Sequence, residues 1–490
     1  MKLRIGLLSV CLFVLSLPMI AQDFRGAISG TVKDASGALL PGVTITIRNT
    51  ETNVSNTTVT DERGAYQVRY LNAGTYDVQA QLEGLQTVQR KGVSVRVAET
   101  IPVDFKLEQG AVSEVMVVTA SAPIIDTTSG VTGTTVDSNQ IQQLPLGDGT
   151  AYMLTRLAPG VMDSSDLHFS RPMDNGNLAG LVANGAQGGN EFTLDGAPNR
   201  VSPNNFNAAN NNGVVGFSPP SDAISQFKIQ TNAFDAQSGH TAGATVNLAL
   251  KSGTNDWKGA VSYFNRSDAR SATPLLSKRA GADKPTREYN RYTGTFSGPV
   301  IKDRTFFMVS FEHLKDIQPE PSAYTVPTAK MRAGDMSEWT GAGNQVYDPL
   351  TSTGSNNART AFAGNIIPQN RINAIAKAYA ALYPLPNRPG LEDNYFTNML
   401  RPYDYNAVLL RGDHNFNGAN KLFLNAYWNK RQEDRYNWAL GAENAQGQGE
   451  IGGFLVTQGF DYRSNKGATL GYTTLFRSSG RARAIRSTTR

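Results

Sequence analysis

Cysteine is nearly absent from this chain: Cys11 is the only one in 490 residues. It lies inside residues 1–21, which read as a secretory leader. Lys2 and Arg4 form a basic start, Ile5 to Leu17 an apolar core, Pro18 breaks the segment, and Ala21 precedes Gln22 as a cleavage point. The apolar run is too short and too early for a membrane span. A lipid-anchor reading of Cys11 is disfavoured by the bulky Val10 before it. The mature chain is therefore expected to hold no cysteine, which excludes disulfide stapling, thiolate nucleophiles and Cys-based zinc sites. Histidine is scarce too. His168, His240, His313 and His414 are the four, and none belongs to an H-x-x-E or H-E-x-x-H pair. No G-x-S-x-G occurs, and Gly185 to Gly189 lacks the Lys-Ser/Thr of a phosphate loop. No catalytic, cofactor or metal site is expected.

Charge is also sparse, at 18% of residues, and the net +5 misleads. Arg477, Arg481, Arg483, Arg486 and Arg490 crowd the last 14 residues with no acid among them. Without these five the chain is neutral, and without Lys2 and Arg4 as well it is at −2. The excess describes a basic tail at 477–490, possible as a non-native extension, and not a nucleic-acid surface.

What is present is strand pattern. Gly, Asn, Thr and Ser carry the polarity, which favours strands, turns and loops. Residues 22–110 hold six or seven short strands at regular spacing, such as Val43 to Asn49, where Val43, Ile45 and Ile47 face one way. That spacing predicts a compact antiparallel sandwich. Asp61 to Gly64 is read as a turn. Tyr66, Val68 and Tyr70 are expected on one buried face beyond it, with Tyr76 and Val78 re-entering the core.

Residues 111–122, AVSEVMVVTASA, form an extended segment without turn residues. Residues 123–253 are rich in Gly, Asn, Asp and Gln with short apolar pieces, and read as a loop-rich body held by something around it. Short helices are expected in SNQIQQLPL and GTAYMLTRLAPGV, and a strand ending in an Asp-Gly turn in NEFTLDGAPN. From 254 to 476 the texture becomes long amphipathic strands, about six of them. Turns such as Asn417 to Asn420 are short, while the opposite connections, 314–404 and 431–456, are long. Aromatic-rich dyad strands with that asymmetry are the pattern of an outer-membrane β-barrel.

In order along the chain, GAISGTVKDASGALLPGVTITIRNTET, TDERGAYQVRYLNAGTYDV, SEVMVVTASAPIIDTTSG, FTLDGAPN, ISQFKIQTNAFDAQSG, ATVNLALKSGTNDWKGAVSYFNRS and FSGPVIKDRTFFMVSFE carry a family likeness. The chain resembles the N-terminal part of TonB-dependent outer-membrane receptors of the Oar-like subtype. The resemblance implies a mainly β chain. A carboxypeptidase regulatory-like (carbohydrate-binding-like) β-sandwich lies in the periplasm, a plug follows, and then come the first strands of a transmembrane β-barrel. Family barrels use 22 strands and tend to end on an aromatic residue, so the sequence reads as truncated in the barrel.

By the same resemblance, Glu114, Val115, Met116, Val117, Val118 and Thr119 are the TonB-box candidate. They would add as a strand to the sheet edge of TonB, which works with its inner-membrane ExbB/ExbD motor. The residue pattern leaves open that they are the last sandwich strand or a linker. Trp339, Tyr347, Tyr379 and Tyr383 in the long loop are candidate ligand contacts, with loop packing as the alternative. The implied activity is uptake of a siderophore, oligosaccharide or peptide through a barrel set in outer-membrane lipid. The rival is an adhesion or surface-structural protein on the same architecture, with a glycan contact on the sandwich. The Arg411-Gly412-Asp413 triplet invites an adhesion reading, but it sits in a predicted strand that would point partly into the barrel, and it is read as a chance or structural occurrence.

Overall fold

The structure, a computed structural model, describes residues 25–110, 115–119, 132–144, 150–163, 181–187, 190–199, 215–232, 243–279, 281–339, 344–352, 358–381, 383–418, 420–434, 460–478 and 481–485. Strands dominate it. Among these residues no helix is long and apolar enough to cross a membrane, which does not bear on strands.

The first eight strands make two facing sheets: β1 (Gly26–Asp34), β2 (Thr44–Asn49), β3 (Ser55–Val59), β4 (Ala65–Leu71), β5 (Gly74–Gln81), β6 (Thr87–Val95), β7 (Thr100–Pro102) and β8 (Phe105–Leu107). β1 pairs antiparallel with β4 and parallel with β7 and β8. The second sheet runs β3-β2-β5-β6. Period-two alternation sends Val43, Ile45 and Ile47 inward, where they meet Ile28, Val32, Val78 and Phe105 in one core. Each such side chain contributes about 1.5–3 kcal/mol by leaving water. Asp61 closes the β3–β4 turn by accepting the amides of Arg63 and Ala65 at 2.9 and 2.8 Å. Tyr66 and Val68 are buried as the alternation requires, but Tyr70 is not on their face. Its φ of +63° resets the pleat, so Leu71 takes the core position and Tyr70 lies under the Arg25 guanidinium, 4.9 Å away.

A second body follows, with strands β9 (Val115–Thr119), β10 (Thr132–Asp137), β11 (Val161–Asp163), β12 (Leu181–Ala183), β13 (Ala186–Gln187), β14 (Glu191–Leu194), β15 (Ala197–Pro198), β16 (Ile224–Asn232) and β17 (Thr245–Leu250). Of these, β9 belongs with the sandwich. The others form a sheet of order β10-β16-β17-β14-β15, with β14 parallel to β17, and a small sheet β11-β12-β13. Asp137 caps the helix Ser138–Gln143 through a reciprocal box with Gln140. The second expected helix is a 3-10 segment, Ala151–Leu157. The β14–β15 turn is Asp195-Gly196, both with positive φ, as a two-residue hairpin requires.

The remaining strands are β18 (Lys258–Ser267), β19 (Glu288–Ile301), β20 (Thr305–Tyr324), β21 (Tyr395–Asn415), β22 (Asn420–Asp434), β23 (Phe460–Ser478) and β24 (Arg481–Ile485). They pair in chain order, all antiparallel, as a seven-stranded sheet. Two differences from the sequence reading stand out. Residues 481–485, read as basic tail, pair with β23, because Arg and Ala alternate there as a strand allows. The long connection is 325–394 and not 314–404, since β20 and β21 stay paired up to Tyr324 and Tyr395. Pro319 and Pro321 suggest a strand end, but β19 pairs β20 only as far as Ile317, and a proline is tolerated where one edge is free. The other long connection expected, 431–456, falls largely on 435–459, outside the described residues. One face of this sheet is apolar and exposed, with Val261, Phe296, Phe311, Leu410 and Leu424. The other packs on the second body in a shared core that joins Phe227, Val246 and Leu248 to Met308, Tyr405 and Leu409.

Candidate functional site

The contact between the second body and the inner face of the long-stranded sheet holds a cluster of buried polar groups. Asp195 sits at its centre, placed by the turn after β14. Its Oδ1 accepts the Leu250 amide at 3.0 Å. Its Oδ2 accepts from Arg411 Nη1 and from Asn425 Nδ2, both at 2.6 Å. Arg411 also donates from Nε and Nη2 to the two oxygens of Asp413, at 2.8 and 3.0 Å, and Asp413 Oδ2 accepts from Ser252 Oγ at 2.7 Å. Arg411 and Asp195 are 2% and 0% exposed. Arg411, Asp413 and Asn425 share the inward parity of β21 and β22, while Leu410 and Leu424 face out. The Arg-Gly-Asp triplet is thus a structural clamp: two of its members hold the inner body, and Gly412 lies between them. Of the chance and structural readings left open for the triplet, the contacts of Arg411 and Asp413 favour the structural one, but the partner Asp195 was legible in the sequence only as a turn residue.

Further contacts continue this seam. Asp222 accepts from Ser262 Oγ and Thr293 Oγ1 at 3.0 and 2.9 Å. Tyr427 stacks on Phe217 at 4.6 Å between centroids. Asn429 Nδ2 donates to the Gly216 carbonyl at 3.2 Å. The inner body is therefore tied to the wall by hydrogen bonds and one buried ion cluster as well as by apolar packing. Such a polar seam can be rewetted once it opens, because its groups find partners in water.

Of the TonB-box candidates, Glu114 lies outside the described residues. Val115 to Thr119 form β9, which pairs in parallel with β6 from Thr87↔Val115 to Lys91↔Thr119. Met116 and Val117 are 46% and 51% exposed. The segment is thus a strand at the sandwich edge, the alternative that the residue pattern had left open. It is also an apolar edge without a charge or proline to guard it, the kind of edge another strand joins.

The four loop aromatics differ in exposure. Trp339, Tyr347 and Tyr379 are exposed on different parts of the 325–394 connection, and Tyr383 is half-buried after the helix Ala374–Ala381. Asn365 and an ion pair fix the loop's shape. Asn365 Oδ1 accepts the Val346 amide at 2.7 Å, and Arg371 donates to both oxygens of Asp348 at 2.9 and 2.6 Å. That Arg371 pairing holds the Asp348 carboxyl below its ordinary value.

At the short-turn end, the sandwich rests against the other two bodies. Lys258 Nζ donates to Glu51 Oε1 at 2.7 Å, Asn53 Nδ2 to Asp303 Oδ1 at 3.0 Å, and the Asn255 amide to the Glu51 carbonyl at 3.0 Å. Gln226 Oε1 accepts the Val97 amide, and Lys228 Nζ donates to the Ala98 carbonyl. A polar cavity of about 660 Å³ lies between the three, lined by Asn49, Ser94, Ser225, Lys251 and Lys421 among others. Burial there lowers the Lys251 pKa.

Comparison with known proteins agrees with this organisation. The carboxypeptidase regulatory-like domain family matches residues 27–108, and the outer membrane beta barrel domain family matches residues 249–482. A curated relative, the TonB-dependent transporter Oar of Myxococcus xanthus, is 25% identical over 299 residues, covering 58% of this chain and 26% of that protein. The chain thus spans about a quarter of the length of that relative. Among solved structures, the outer-membrane transporter YddB from Escherichia coli aligns with a TM-score of 0.41 at 14% identity, covering 71% of this chain and 37% of that one. The ferric enterobactin receptor PfeA from Pseudomonas aeruginosa aligns at 0.39 and 12%, covering 71% and 39%. The chain is an outer-membrane protein, related to the TonB-dependent transporters, that joins a carboxypeptidase regulatory-like domain to an outer-membrane β-barrel domain.

Proposed function

We propose that the chain serves a TonB-dependent receptor that carries a substrate across the outer membrane into the periplasm. The second body acts as plug, residues 114–119 act as the segment that engages TonB, and TonB draws its energy from the ExbB/ExbD motor. The observation that carries this reading is the seam around Asp195 and Arg411. A body meant only to fill a barrel is best sealed by apolar packing, since replacing a buried ion pair by apolar residues is often neutral or stabilising. Here an ion cluster and hydrogen bonds accompany the apolar contact, and those polar groups find partners in water when the seam opens. The exposed loop aromatics Trp339, Tyr347 and Tyr379, with Tyr383 beside them, supply the outer surface on which a siderophore, oligosaccharide or peptide would first land.

The test is deletion of Val115–Thr119, with binding of the soluble C-terminal domain of TonB measured on receptor in outer-membrane vesicles. The deletion is expected to abolish binding and leave the protein in the membrane. Undiminished binding refutes the coupling role and favours a surface-structural protein.

A further inference from the structure

We propose that the sandwich is a pull-off lid on the periplasmic mouth: a load applied at β9 lifts the sandwich from the barrel before it reaches the plug. The inference rests on the reading of 115–119 as the TonB-engaging segment.

The argument ranks the joints that such a load meets. β9 is held to β6 by five residue pairs in register. Behind that ladder it is tethered covalently: seven residues separate it from β8, against twelve between it and β10. At roughly 3.3–3.6 Å per residue, the tether to the sandwich reaches at most about 25 Å end to end, against about 40 Å for the one to the plug. The load therefore enters the sandwich whether or not β9 peels away. Inside the sandwich it meets a continuous core from Ile28 to Leu107. Beneath the sandwich it meets only the seat. There Lys258 and Glu51 pair with side chains about half exposed, Asn53 and Asn255 reach Asp303 in the β19–β20 turn, and Val97 packs on Ala249 and Phe423 in a three-residue core. Exposed ion pairs of this kind contribute about 0–1 kcal/mol. The seat is the weakest joint in the path, so it parts first.

Parting has two consequences. The polar cavity at the junction, closed on one side by Asn49 and Ser94 of the sandwich, opens toward the periplasm. The two hydrogen bonds from residues 97–98 to Gln226 and Lys228 break with the seat, so β16, which neighbours β10 and β17 in the plug sheet, loses its contacts with the sandwich.

Force spectroscopy tests the lid. The C-terminal domain of TonB on the probe tip is pulled from receptor in outer-membrane vesicles. Asn53→Cys and Asp303→Cys are joined by a short bismaleimide, and the cysteine-free mature chain keeps that chemistry specific. The unlinked protein is expected to yield a first, low-force extension step that the cross-link removes. Lys258→Glu, which sets two acids face to face, is expected to shift that step to lower force without any cross-link. An identical first step in linked and unlinked protein, or one insensitive to Lys258→Glu, overturns the lid. Capture by a receptor lacking Val115–Thr119 would instead sink the coupling role itself, whatever the step does.

Discussion

Replacing Asp195 with alanine removes the acceptor at the centre of the plug seam. In the parent, Asp195 accepts from Arg411, Asn425 and the Leu250 amide, all three buried. Arg411 keeps Asp413, so its charge stays compensated, but one guanidinium N–H, the Asn425 amide and a backbone N–H lose their partner. A buried donor left unsatisfied costs about 1–3 kcal/mol, and breaking a buried ion pair about 3–5 kcal/mol. Water entering the vacated side-chain volume recovers part of this, so about 3–4 kcal/mol is expected for the plug–wall contact. Urea titration in vesicles, read by protease cutting of the plug and by bilayer conductance, reports release of the plug. With a slope near 2 kcal/mol/M the midpoint should fall by about 1.5–2 M. Arg411→Met should cost at least as much, because it leaves Asp195 and Asp413 together with no cation. The double variant should fall short of the sum by about 0.5–3 kcal/mol, as residues of one network do. If Asp195→Ala releases the plug at the parent's urea concentration, the cluster does not hold the plug and the argument built on it fails.

Two further outcomes are specific. Gly64→Ala places a Cβ 2.8 Å from the Val32 carbonyl oxygen at a φ of +63°, and should lower sandwich stability by about 1–2 kcal/mol for the left-handed conformation alone, with a further loss for the contact, measured by hydrogen exchange of the sandwich amides. The Asp348–Arg371 pair gives the long loop a pH dependence. Asp348 has a folded pKa below its unfolded one, so the pair's contribution is complete above the unfolded value, near 3.9, and is lost as pH falls through the lower folded value. Exchange protection of the Val346 and Phe362 amides should drop over that acid window in the parent and stay flat in Asp348→Asn.

The sequence by itself determined the elements. Period two in Val43 to Ile47, the glycine and aspartate turns, and the dyad strands from 254 onward are local signals, set by which face of a strand meets water. The same signals told apart the sandwich, the loop-rich body and the long-stranded sheet. Even the exceptions have local causes: Tyr70 leaves its face because one residue adopts positive φ, and β20 runs on through two prolines because its far side is free. Tertiary structure decided the partners. Asp195 and Arg411 lie 216 residues apart, and each looked ordinary alone, one as a turn residue and one as part of a chance-like triplet. Nothing in a single sequence links such a pair, because their attraction exists only once two sheets have been brought face to face and water has been removed between them. The same holds for β9. Its apolar run shows that it is a strand, but only the assembled sandwich shows which edge takes it and where a load placed on it would go.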